Sequence, residues 1–209
     1  MKSKATLYCL LLLVAFACNT KKPNEITIGI QAFGSIKSEI VDSVAKSIKE
    51  VYGFKTILLP TQSLPKKAFV NIKSPRYRAD SLLRILKFQQ PDTIDFTIGL
   101  LDKDMSTTKK DRWGNVLKPE SKYLDWGVFG LGYRPGPSCV VSTFRFKTAD
   151  KILFYKRLKK ISMHEIGHNL GLPHCEFSEK CVMRDAAETI RTIDQVELSL
   201  CSKCKGRIL

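Results

Sequence analysis

All three histidines of this 209-residue chain fall within the eleven residues HEIGHNLGLPH, as His164, His168 and His174. Residues four apart on a helix share a face, about 6 Å apart along the axis. His164 and His168 can therefore aim two imidazoles at one metal ion. Glu165 follows the first of them, which sets its carboxylate beside the metal, where it can polarise a water molecule. Gly171 suits the left-handed turn that ends a helix, and such a turn lets the chain double back until His174 becomes a third ligand. Three neutral imidazoles leave the fourth tetrahedral zinc position open, as a catalytic site requires. A chance match to this pattern is on the order of one in a million at ordinary composition. The bland reading of each histidine, a satisfied core or surface residue, is the weaker one.

Four of the seven cysteines follow closely: Cys175, Cys181, Cys201 and Cys204. The Cys201–Cys204 spacing is that of a zinc knuckle, while the five residues between Cys175 and Cys181 make a slightly wide spacer. A tetrahedral four-cysteine zinc site is one outcome. Two disulfides are the other, because exported chains meet an oxidising compartment. Cys139 is the odd thiol, expected as a small buried hydrophobe on its strand.

Taken together, HEIGHNLGLPHCEFSEKCVM and the later CSKC resemble the archaemetzincins, zinc metalloproteases of the metzincin clan. That clan carries the extended histidine motif and a methionine turn, for which Met183 is the candidate. The likeness reaches TID (192–194) and, more loosely, VFGLG…VVSTFRF (128–146). Its spacing departs in one place, with five residues between Cys175 and Cys181 where the family usually has four. The resemblance implies an α/β (α+β) zincin fold: a twisted, mostly parallel sheet with an antiparallel edge strand, an active-site helix and a small C-terminal lobe. It also implies a catalytic zinc on His164, His168 and His174, with Glu165 as general base for peptide-bond hydrolysis. Met183 would pack beneath that zinc, and Cys175, Cys181, Cys201 and Cys204 would hold a second, structural one. A peptide or protein substrate would lie along the edge strand, for which Gly127–Tyr133 is the expected segment.

The elements that must position these residues are legible in outline. EITIGIQAF (25–33) alternates as a half-buried strand does, and residues 36–51 put Ile40, Val41, Val44, Ile48 and Val51 on one helical stripe. A strand at 54–60, a helix over Arg78 to Phe88 and a strand at 93–101 complete a parallel α/β beginning. The polar stretch 102–126 reads as a surface excursion. Strands are expected at Gly127–Tyr133 and Cys139–Phe146, a helix from Ala149 to Leu170, and a short helix around Ala186–Leu200. The basic cluster Lys156, Arg157, Lys159 and Lys160 reads as the solvated side of the histidine-bearing helix.

Residues 1–17 have the basic start, short apolar run and final small residue of a secretory signal. The following AFAC resembles a bacterial lipobox, with Cys18 as the lipidated mature N-terminus, although Phe16 stands where a small residue is common. A polar linker (18–24) then joins a single domain (25–209), with an upper lobe to about 171 and a lower lobe from about 172. The expected product is an exported, envelope-anchored monomer. The formal charge of +15 invites nucleic acid, but no basic–aromatic array or recognised module accompanies it, and none is expected to bind. A zinc-bearing binding protein of the same fold, without turnover, is the alternative function.

Overall fold

Two strand–helix units open the chain. β1 (Thr27–Phe33) leads into α1 (Ser38–Tyr52) and β2 (Lys55–Gln62). The short strands β3 (Phe69–Asn71) and β4 (Pro75–Arg78) precede α2 (Ala79–Gln89) and β5 (Phe96–Leu101). Then come β6 (Met105–Thr107), the single turn α3 (Glu120–Tyr123), β7 (Trp126–Val128), β8 (Gly130–Gly132) and β9 (Ser138–Ser142). The long helix α4 (Lys151–Asn169) carries the histidine run, with α5 (Ile190–Gln195) and α6 (Ser202–Lys205) after it. This computed structural model describes residues 25–185 and 189–208. The expected signal segment 1–17, Cys18 and the linker lie outside the described residues, as do 186–188 of the expected last helix.

Five strands form the main sheet in the order β2-β1-β5-β9-β8. All neighbours are parallel except β8, which runs antiparallel to β9 at the edge. The fold is thus α/β of the expected kind. One face of this sheet packs on α1 and α4 through Ile28, Ile30, Val44, Ile98, Val141 and Ile166. The other face packs on α2 through Phe33, Leu82, Leu86 and Val140. The C-terminal segment has no core of its own among the described residues. Its buried residues, Leu172, Val182, Met183 and Ile193, join the cluster beneath the sheet.

Several expectations change. Part of the polar stretch 102–126 builds a second sheet, β3-β4-β6-β7, instead of a pure surface loop. Its strands hold together through ions as much as apolar contacts: Asp104 accepts from Arg76 (2.8 Å) and from Arg145 (2.6 Å). Arg76 also reaches the buried Asp125 at 3.0 Å. The expected strand Gly127–Tyr133 is likewise two strands, because Trp126–Val128 pairs with β6 while Gly130–Gly132 pairs with β9. The chain crosses from one sheet to the other at Phe129. The strand expected over Cys139–Phe146 stops at Ser142, and a tight 3-10 turn takes Phe144–Phe146.

Candidate active site

α4 starts where Asp150 accepts the Leu153 amide (3.0 Å), a side-chain cap for an otherwise orphaned donor. It ends at Gly171, whose φ of 90° is one that residues with a β-carbon rarely adopt. The Gly171 amide bonds the His168 carbonyl (2.8 Å) and the Leu172 amide bonds the Gly167 carbonyl (3.0 Å). This paired closure of the last turn swings the chain back towards the helix. His174 then lies beside its two partners. Ring centroids are 4.6 Å apart for His164–His168, 5.3 Å for His164–His174 and 5.0 Å for His168–His174. One ring nitrogen from each lies within 4.8 Å of the others.

The tautomers follow from the hydrogen bonds. His164 Nδ1 stands 2.8 Å from the Val182 carbonyl and His168 Nδ1 stands 2.8 Å from the Leu172 carbonyl. Carbonyl oxygens only accept, so each Nδ1 carries the proton and each Nε2 keeps a lone pair for a metal. Burial, and then the neighbouring His168 ring, push the His164 pKa down to about 3. Burial also lowers that of His168. Both rings are therefore neutral ligands at physiological pH. His174 is more open, and its Nδ1 lies 3.5 Å from Asp185 Oδ2. The donor set and its tautomers fit a zinc ion.

Glu165 is buried at the mouth of this cluster, only 7% exposed, and burial alone pushes its pKa up to about 8. The edge strand covers it. Ser142 donates to the Phe129 carbonyl (2.9 Å) and Tyr133 to the Ser138 carbonyl (3.2 Å). Antiparallel ladders alternate bonded and unbonded pairs. Leu131 thus takes the bonded position opposite Val140, and Gly130 and Gly132 turn their N–H and C=O groups outward from β9. Tyr133 packs its ring into the cluster beside α2 instead of the cleft. The cleft itself holds about 520 Å³ and runs from Trp126 and Val128 past the histidines to Ile193 and Val196.

Met183 is fully buried under α4, and a β-carbon on Gly167 would stand 2.2 Å from its Sδ. Its carbonyl accepts from the Cys175 amide at 2.8 Å. Beyond it the five described cysteines are all free, with Cys139 wholly buried on β9. Cys175 Sγ and Cys201 Sγ lie 3.7 Å apart, and the sulfurs of Cys175, Cys181, Cys201 and Cys204 all lie within 4.8 Å of one another. Four sulfurs sharing one zinc at about 2.3 Å would stand about 3.8 Å apart. This donor set also fits zinc.

Sequence reasoning missed the walls of the cleft. Of the basic cluster on α4, Arg157 is turned inward onto Asp194 (2.6 Å) and Lys160 lines the cleft, so the two are not on a solvated side. Their spacing from His164, seven and four residues, was the signal that could have found them.

The model of peptidase family M54 matches residues 22–209. The chain belongs to this family, the archaemetzincins. It is 30% identical to the archaemetzincin of Archaeoglobus fulgidus over 174 residues, which cover 83% of this chain and 94% of that one. The crystal structure of that protein, complexed with malonate, superposes with a TM-score of 0.70 over 88% of this chain and 100% of the other. Archaemetzincin from Methanopyrus kandleri gives a TM-score of 0.71 at 26% identity, covering 88% of this chain and 93% of that one. The protein is a zinc metallopeptidase.

Proposed function

We propose that the chain hydrolyses peptide bonds at the histidine cluster, with Glu165 as general base. His164, His168 and His174 would hold the zinc through the nitrogens left free by their carbonyl partners. When bound, zinc supplies a Lewis acid that acidifies a water molecule and polarises the scissile carbonyl. The Glu165 carboxylate takes the water proton and passes it to the leaving amine. An extended substrate would pair with the outward N–H and C=O groups of Gly130 and Gly132, a strand added to the free edge of the sheet. The observation that carries this reading is the convergence of three imidazoles beside a buried carboxylate under a strand edge that is unpaired among the described residues. Replacing Glu165 with Gln should keep zinc and lose several orders of magnitude of peptidase activity on a defined peptide library. Full activity in that variant would remove Glu165 from the role. Peptide binding without any cleavage by the parent would favour a binding protein instead.

The four-cysteine cluster is the second zinc site in this reading, a structural one, so the mature protein carries two zinc ions. Metal analysis with a free-thiol count separates this from one zinc and two disulfides. The N-terminal pattern supports export as a lipoprotein anchored through Cys18, with the peptidase acting as a monomer at the envelope. Unchanged membrane association after Cys18→Ser would count against the anchor.

A further inference from the structure

One cation in the cleft has no part in the zinc chemistry. Lys160 sits one turn of α4 before His164, about 6 Å along the axis, so both side chains share the helix face that floors the cleft. The cleft that Lys160 lines also carries the apolar Ile161 from α4, Val182 from the loop under the histidines, and Ile193 and Val196 from α5 and its end. The Lys160 ammonium has three donors. Two go to backbone carbonyls, Ile193 at 2.9 Å and Asp194 at 3.1 Å. Neutral carbonyls fix the head group in place without cancelling its charge.

The neighbouring charges do not cancel it either. Asp194 is forked onto Arg157 through both carboxylate oxygens (2.7 and 2.6 Å). Burial is the largest influence on Lys160 and makes its charged form costlier. The Asp194 carboxylate offsets part of that, while Lys156, Lys180 and Arg157 add positive potential, so the balance still disfavours the ammonium. Elsewhere the cleft wall carries Lys109, Arg134 and Arg184 against Asp185 and Glu165. An anchored, partly desolvated ammonium in an apolar pocket gains most from one partner, a carboxylate that brings its own charge and accepts the remaining N–H.

We propose that Lys160 makes this side pocket selective for a substrate carboxylate next to the scissile bond, either an acidic side chain or the peptide's own C-terminus. The apolar walls accept the methylenes of a glutamate or the body of a terminal residue, and Lys160 Nζ closes the pocket behind them. Specificity of this kind is a difference between matched substrates, set by whether the partly buried donor is paired.

The inference rests on the peptidase reading, and its test can fail separately from it. Peptide pairs differing only by Glu for Gln at each position of a cleaved sequence are compared, each with free and with amidated C-termini. The parent should favour Glu over Gln at one position beside the cut, or the free over the amidated terminus, by about tenfold in kcat/KM and mainly through KM. Lys160→Met should bring the ratio within about twofold while retaining zinc and cleavage of neutral peptides, and Lys160→Arg should keep the preference. The same pairs are also measured by fluorescence anisotropy against Glu165→Gln protein, with and without Lys160→Met. Equal treatment of the members of every pair by the parent, or a ratio unmoved by Lys160→Met, overturns the proposal. If no peptide is cut, the anisotropy ratios still decide the role of Lys160, and the missing turnover counts against the peptidase reading alone.

Discussion

Gly130 faces Glu165 so closely that any side chain there must displace it: a β-carbon would lie 2.6 Å from Glu165 Oε1 and 2.7 Å from its Cγ. Two residues on, a β-carbon at Gly132 would meet the Glu165 backbone oxygen at 2.8 Å. The edge strand is therefore bare on its inner face because the helix below it carries the proposed base. Strand and helix come as close as backbone permits, and Gly130, Leu131 and Gly132 of β8 line the same cleft as the three histidines.

The two glycines should fail differently when replaced by alanine. At Gly130 the obstacle is the end of a flexible side chain, so the fold adjusts and Glu165 moves. Gly130→Ala should lose about a hundredfold in kcat/KM with little change in thermal midpoint, since catalysis is sensitive to displacements near 1 Å. At Gly132 the obstacle is helix backbone, and Gly132→Ala should cost about 1–3 kcal/mol of stability by overpacking. Denaturant titration beside peptide-cleavage assays separates the two. Equal stability loss in both variants would sink the distinction.

The metal-free protein should be most stable near neutral pH and weaker on both sides. His164 and His168 have lowered pKa values in the fold, so below about 6.5 the unfolded chain binds more protons and stability falls as pH drops. Each contributes a slope of up to about 1.4 kcal/mol per pH unit. Glu165 has the opposite sign. Its folded pKa is raised to about 8, so the stability linked to its protonated form is lost as pH rises from the ordinary carboxylate range through that value. Bound zinc supplies positive charge beside the carboxylate and should flatten the alkaline limb. Urea midpoints of chelator-treated protein at pH 5, 6.5 and 8.5, alongside Glu165→Gln, test this. A midpoint that does not vary with pH, or an alkaline limb that survives in Glu165→Gln, would contradict it.

The histidine site was readable in the sequence because its parts are local. His164, Glu165, His168, Gly171 and His174 sit on one helix and the turn after it, so spacing alone specifies their faces. α1 was readable because burial on one side writes period 3.6 into a long segment. β1 and β5 were readable as short apolar runs, but β1 is buried on both faces and not half-buried as its alternation suggests, because helices cover both sides of the sheet. The second sheet was not. Its strands β3, β4, β6 and β7 have three or four residues each, and Asp104 joins them to Arg76 and Arg145 from distant parts of the chain. Charges of that kind look like surface until tertiary structure pairs them. The same blindness hid Lys160, whose helical register with His164 was visible but whose wall partners Ile193 and Val196 come from a separate segment.

The two candidate metal-ligand clusters share a segment, and damage to one should reach the other. Cys175 directly follows His174, and Cys181 directly precedes Val182, whose carbonyl holds His164 Nδ1 at 2.8 Å. The Val182 amide is itself fixed to the Ser199 carbonyl (2.8 Å), and Cys181 Sγ accepts from the Cys201 amide (3.3 Å). Removing one sulfur from the cysteine cluster should therefore loosen the support of His164 and His174 as well as costing stability. Partners that orient a ligand are typically worth about 10–100-fold in metal affinity. Cys201→Ser should bind zinc at the histidine cluster about tenfold or more weakly in competition with a chromophoric chelator, at a temperature where circular dichroism still shows the folded helix content. Parental affinity at the histidine cluster in folded Cys201→Ser protein would mean that the turn carrying Met183 holds His164 without help from the cysteines.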